Sequence, residues 1–244
     1  MKATTTSRER MHDALALGSK FGKYKPEEEK DVRKVEVKED EVLKKLKDAW
    51  RRYKHVTVLA GTTNEEKILR AVVGIAYSAR DVERFSLALV EFQDELLFPD
   101  KASTFLNTII KNCKDSNYVI HTGHLKTPIG DIGMLNTKNI TVNGNVGHNV
   151  GCFMKGGTIT INGDATDSLG AEMSGGAITV NGNTGDCVGS HMRGGTIIVN
   201  GNAGKLIGEG MLGGEIQLNG DYRSIAKSIR KRKIYHKGKL IVDK

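Results

Sequence analysis

The chain has 244 residues, 27% of them charged, a net charge of +8, and only three cysteines among 29 glycines. Cys113, Cys152 and Cys187 form no C-x-x-C pair, which argues against a disulfide framework or a zinc site and points to a reducing compartment. No run approaches the roughly 20 apolar residues that span a bilayer, so the expectation is a protein with no membrane partner.

The N-terminus has a single four-residue apolar run, Ala14 to Leu17, too short for a secretory leader. A cytoplasmic location is therefore expected. Residues 24–41 are densely charged without apolar period and read as an exposed linker or strand. From Asp40 to Tyr53, the residues Val42, Leu43, Leu46, Trp50 and Tyr53 recur at helical spacing. His55 to Ala60 reads as a short strand. Thr63-x-x-Glu66 is a capping-box pattern opening a helix that runs through Ile75. Two further helices are expected, near Asp81 to Leu97 and Lys101 to Cys113, with a break at Pro99. Residues 1–117 thus read as a mainly helical domain with no catalytic signature.

Residues 118–244 have a different character. Asn143, Asn162, Asn181, Asn200 and Asn219 recur every 19 residues, each followed by glycine. In register with them run Met154, Met173, Met192 and Met211, and likewise Ile159, Ile178, Ile197 and Ile216. Such self-similarity marks a solenoid, whose units bury their apolar faces by stacking. Between each Gly-Gly and the next Asn-Gly lies an alternating, β-branched run such as Thr158-Ile159-Thr160-Ile161, which reads as a strand. Five glycines per unit rule out a helical repeat, since each costs about 1 kcal/mol in a helix. The fold class that follows is mainly β: a parallel β-helix of single-chain 19-residue coils, preceded by the smaller helical domain. The glycines are expected at its corners, where φ is positive or backbones approach closely.

The frame GxxGxxxGxxMxGGxIxVxG, best seen in Gly163 to Gly170 with Ser174-Gly175-Gly176, resembles the GXGXG-repeat family. Members form the C-terminal domain of glutamate synthase and the β-helical subunit of formylmethanofuran dehydrogenases. The tail Lys233 to Leu240 is similar to the end of that dehydrogenase component. The resemblance implies a right-handed β-helix that serves as scaffold, not catalyst. It covers about residues 119–221, and the amidotransferase and flavin-binding parts of glutamate synthase are absent.

Several features could carry chemistry. Gly144-x-x-Gly147-x-x-x-Gly151 looks like a phosphate loop, but such loops open a helix, and here a Gly-Gly corner and a strand follow. The methionine column could bind a soft metal, although its register with the isoleucines favours core filling. His121, His124, His148, His191 and His236 fall in different columns and make no ligand set. Asp164, Asp167, Asp186 and Asp221 occupy corners, where Asx side chains bond local backbone. The reading is therefore no catalytic residue, no cofactor and no metal.

Residues 222–244 carry nine basic residues against one acidic, while the coils before them are mildly acidic. Arg230, Lys231, Arg232 and Lys233 are the candidate partner-docking residues, with nucleic-acid phosphate as the less favoured occupant. Ile225, Ile229, Ile234, Leu240, Ile241 and Val242 are expected to close the end of the coil. The functional expectation is a non-catalytic scaffold that engages a protein partner or further copies of itself. The alternative is an accessory subunit of a formylmethanofuran dehydrogenase-like or glutamate synthase-like enzyme.

Overall fold

A computed structural model of the chain describes residues 40–55, 63–227 and 233–243. The charged stretch before Asp40, the strand expected through Ala60 and the basic residues Arg230, Lys231 and Arg232 lie outside the described residues, apart from Asp40 and His55 at their edges.

Among the described residues, four helices come first: α1 (Glu41–Arg52), α2 (Asn64–Val72), α3 (Ala79–Ala88) and α4 (Phe98–Asn112). The Asp40 carboxylate caps α1 by accepting the Val42 N–H at 3.0 Å. At α2 the expected capping box is complete, with Thr63 Oγ1 accepting the Glu66 N–H and the Glu66 carboxylate accepting the Thr63 N–H. This helix stops at Val72, not Ile75, because Gly74 turns the chain left-handed at φ +77°. Pro99 does not break a helix either. It sits in the first turn of α4, where its missing N–H has no helical partner to lose. The residues before it form a 3-10 turn, Leu89–Phe92, instead of extending α3.

Trp50 of α1 is fully buried at the centre of this layer, with the rings of Phe85, Phe92, Phe98 and Phe105 at 5.3–6.1 Å from its own. Its indole N–H donates to Glu95 Oε1 at 3.0 Å. Lys101, 5% exposed, donates to the other Glu95 oxygen at 2.8 Å and lies over the Trp50 ring at 4.3 Å. The buried ammonium is thus paired twice over.

Eight strands then form a single sheet in chain order: β1 (Asn117–His121), β2 (Asn139–Asn143), β3 (Thr158–Asn162), β4 (Ala177–Val180), β5 (Thr196–Val199), β6 (Glu215–Leu218), β7 (Lys233–His236) and β8 (Lys239–Asp243). β1 to β7 pair in parallel, each with the next, so the chain makes about six turns of a parallel β-solenoid. From β2 to β6 corresponding residues are 19 apart, as in Ile159 opposite Ile178. The first coil is longer, with Asn117 opposite Asn139, and the last shorter, with Glu215 opposite Lys233. β8 alone runs antiparallel, closing the solenoid with a hairpin.

Inside, Ile140, Ile159, Ile178, Ile197, Ile216 and Ile234 stack in one ladder, all at most 2% exposed. Met154, Met173, Met192 and Met211 stack in another at 0%. The core continues without a break from the helices into the coils. At the first coil, α3 lies on β1, and the His121 N–H donates to Ser86 Oγ at 3.0 Å. No described helix is long and apolar enough to cross a membrane.

Candidate interaction surfaces

A strand buried on one side sends alternate residues outward. On β2 to β5 these outward positions are Asn139, Thr141, Thr158, Thr160, Ala177, Thr179, Thr196 and Ile198, flanked by the Asn column. None is charged, in a chain where 27% of residues are. Among the described residues, charge returns on this face at Glu215 of β6, Lys233 of β7 and Asp243 of β8.

The Asn column stiffens one border of the face. Each carboxamide donates to the carboxamide of the preceding coil: Asn162 to Asn143, Asn181 to Asn162 and Asn200 to Asn181 at 2.8 Å, and Asn219 to Asn200 at 2.7 Å. Next to it runs a second Asx column. The Asn145, Asp164, Asn183 and Asn202 side chains accept the backbone N–H of Asp164, Asn183, Asn202 and Asp221 at 2.7–2.9 Å. Asp167 and Asp186 similarly accept the N–H of Asp186 and Lys205, both at 2.7 Å. The Asp164, Asp167 and Asp186 carboxylates therefore bond backbone of the coil that follows, not the local backbone expected from sequence, and Asp221 accepts instead from the Lys237 ammonium at 2.9 Å. Each of these acceptor oxygens is committed to holding adjacent coils together.

The glycine expectation holds for Gly151, Gly170, Gly189 and Gly208, whose φ lies at 64–68°. Another corner is turned at positive φ without glycine: Asn149, Ser168, Cys187 and Leu206 sit at 57–62°. No phosphate-loop geometry arises, because Gly144 to Gly151 leads into a corner and then β3 and opens no helix.

Cys152, 8% exposed, lies on an acidic corner. Burial, with the charges of Glu172 and Asp131, pushes its thiol up to about 11. Cys187 is also raised, by burial first and then by Glu209, Asp186 and Asp167. Such surroundings suppress the thiolate that nucleophilic chemistry needs. His191 Nδ1 and the neighbouring Ser190 hydroxyl are 2.9 Å apart, but the imidazole lies against Gly210 of the next coil. Among the described residues no three His, Cys, Asp or Glu side chains converge in a way that could hold a metal.

A cavity of about 190 Å³ lies between α4 and the loop after β1, lined by Glu65, Asn107, Lys111, Asp131, Met134 and Leu135. It is smaller than the roughly 300–1,000 Å³ of ordinary ligand sites. Its polar groups are also engaged: Lys111 with Glu65 at 2.7 Å, and Asn107 with the Asp131 carbonyl and the Gly133 N–H, both at 2.8 Å.

Of the basic candidates, Lys233 begins β7, opposite Asp243 of β8, and is exposed. Of the residues expected to close the coil, Ile234 is fully buried, and Ile225 and Val242 pack against the core. Leu240 and Ile241 do not close it; they are 40% and 36% exposed. Ile229 lies outside the described residues. The uncharged sheet face was not singled out from sequence, although the outward positions of each strand and their lack of charge were both there to read.

Comparison with protein-family models, with curated proteins and with solved structures finds no match.

Proposed function

We propose that the chain is a non-catalytic scaffold whose outer sheet face, on β2 to β5, docks a protein partner presenting a flat, uncharged surface. The observation that carries this reading is the absence of charge over four consecutive strands of a heavily charged chain. Exposed charge keeps a surface solvated and opposes association, and interface centres are depleted of it. The face measures roughly 14 Å by 17 Å from ordinary strand spacings. It would therefore form the centre of an interface, with flanking corners supplying the rest of the roughly 800 Å² that each partner contributes.

The Asn and Asx columns support the same reading. They hold the coils in register and keep the face rigid, which lowers the ordering cost of binding. The GXGXG resemblance, in which the β-helix is scaffold to an enzyme, points the same way and keeps the accessory-subunit reading within the proposal.

Thr160→Arg and Thr179→Arg place charge at the centre of the face without touching the core. Each should abolish co-purification of the partner from the source organism while leaving the melting temperature within a degree or two of the parent. Mass spectrometry of the parent's partner separates the two scaffold readings, since molybdopterin, glutaminase or flavin subunits would assign it to an enzyme complex. Partner retention by both arginine variants would remove the face from consideration.

A further inference from the structure

We propose that a cavity in the helical layer binds a small phosphate ester. It opens between the end of α1 and the start of α4, has a volume of about 460 Å³, and is walled by Arg51, Tyr53 and Lys54 on one side and Glu95, Leu96 and Lys101 on the other. That size falls within the roughly 300–1,000 Å³ of ordinary ligand sites. None of these residues belongs to the outer sheet face, so a ligand here is independent of a partner docked there.

Charge names the class of ligand. Three cations, Arg51, Lys54 and Lys101, line the cavity against the single carboxylate of Glu95. His55 also lines it but adds no charge at neutral pH: burial, joined by Lys101 and Lys67 and opposed by Asp100, holds its imidazole below the ordinary 6.5. The surplus of positive charge suits the dianion of a phosphate monoester. Lys54 acts on Glu95 through its charge but makes no ion pair among the described residues. Arg51 gives Asp48 one bond at 3.0 Å and reaches Glu91 at 4.0 Å, which leaves part of its five-donor fork unused. Lys101, 5% exposed, donates one of its three N–H groups to Glu95, and no other acceptor reaches the ammonium among the described residues. Stability alone does not account for such a pair, since apolar residues of like volume serve a buried position as well or better. At the wall of a cavity it holds an ammonium where a phosphate oxygen can accept a charge-assisted hydrogen bond. The volume exceeds what a bare phosphate fills, and Leu96, 90% exposed at the rim, offers apolar contact to the organic group of an ester.

Trp50 is the chain's one tryptophan and its ring lies 4.3 Å from the Lys101 ammonium, so its fluorescence reports on the site. The full chain is titrated at about 0.15 M salt with ribose 5-phosphate, with AMP and with inorganic phosphate. At least one ester should change the emission saturably with a Kd below about 1 mM, and inorganic phosphate should bind about tenfold more weakly than that ester. Lys54→Glu should weaken ester binding by about tenfold or more, whereas Lys54→Arg, which keeps the charge, should stay within about threefold of the parent. Lys54 is exposed, so both variants should melt like the parent by circular dichroism. Lys155→Glu makes the same charge change on an exposed coil residue and should leave binding as it was. No response to either ester overturns the proposal. So does inorganic phosphate binding as tightly as both esters, which would make this a site for the ion alone. Equal losses in Lys54→Glu and Lys155→Glu overturn it too, since they would show only diffuse attraction to a basic chain.

Discussion

The methyl group of Met154 fills the space that a side chain on Gly176 of the next coil would need: a Cβ there would lie 2.7 Å from Met154 Cε. The same distance would separate it from the Gly157 carbonyl oxygen, and Gly176 has φ +87°. The relationship recurs one coil on, between Met173 and Gly195, and again between Met192 and Gly214. The methionine and Gly-Gly columns are thus one packing device. Gly176→Ala should destabilise the fold by about 2–3 kcal/mol, combining left-handed strain with overpacking. Urea denaturation measures this, and in a Met154→Ala background, itself destabilised by the lost core side chain, Gly176→Ala should cost less but not nothing, because the carbonyl contact remains.

Ile178 is fully buried between Ile159 and Ile197. Ile178→Asp puts a carboxylate into that ladder with no partner, at a cost of several kcal/mol. Thermal unfolding should lose its single cooperative transition. A variant melting like the parent would mean that the ladder does not face inward.

Glu95 lies under opposing influences. Burial raises its pKa, but the hydrogen bonds from Lys101 and Trp50, with the Lys101 charge, outweigh it and hold the group below its ordinary value of 4.5. A depressed folded-state pKa contributes stability that is fully present above the unfolded value and is lost as pH falls through the folded one. Parent stability should therefore drop as pH falls from about 4.5. Glu95→Gln should be less stable than the parent at neutral pH and flatter across that range. Parallel curves for the two proteins would remove Glu95 from the acid response.

Cys152 should alkylate slowly. Raising its thiol from 9.0 to about 11 leaves roughly a hundredfold less thiolate at pH 8 than an ordinary cysteine has. Iodoacetamide labelling followed by peptide mass spectrometry should show Cys152 unmodified in the native protein and fully modified in denaturant. Glu172→Gln should speed native labelling modestly, since that charge is second to burial as a cause.

The solenoid was legible in sequence because every coil solves the same packing problem with the same residues, so Asn143 to Asn219 and Met154 to Met211 announce the period. The capping box at Thr63 was legible because its chemistry is contained in four residues. Other features depend on neighbours the sequence does not place. Asn149, Ser168, Cys187 and Leu206 share one left-handed conformation but no residue type, so the stacked coils impose that turn, not local preference. The inter-coil bonds of Asp164, Asp167 and Asp186 were hidden for a related reason. An Asx side chain at a corner reaches local backbone equally well, and only the stacked coils supply the N–H that wins. At Pro99 the residue signals a helix boundary correctly, but the helix expected from Lys101 begins at Phe98 and takes the proline into its first turn.

The constant spacing of the coils also sets how the rod can assemble. Each strand from β2 to β6 finds its partner 19 residues away, so adding a coil closes a loop of the same modest length whether it is the second or the fifth. The entropy lost in closing it, which grows only logarithmically with loop length, therefore stays constant as the rod lengthens. Contacts between distant parts of the sequence, which slow the folding of other β proteins, are not required within the coils. With the first coil already seated on the helices, every later one meets a finished edge, and the chain can add coils in the order in which it is synthesised.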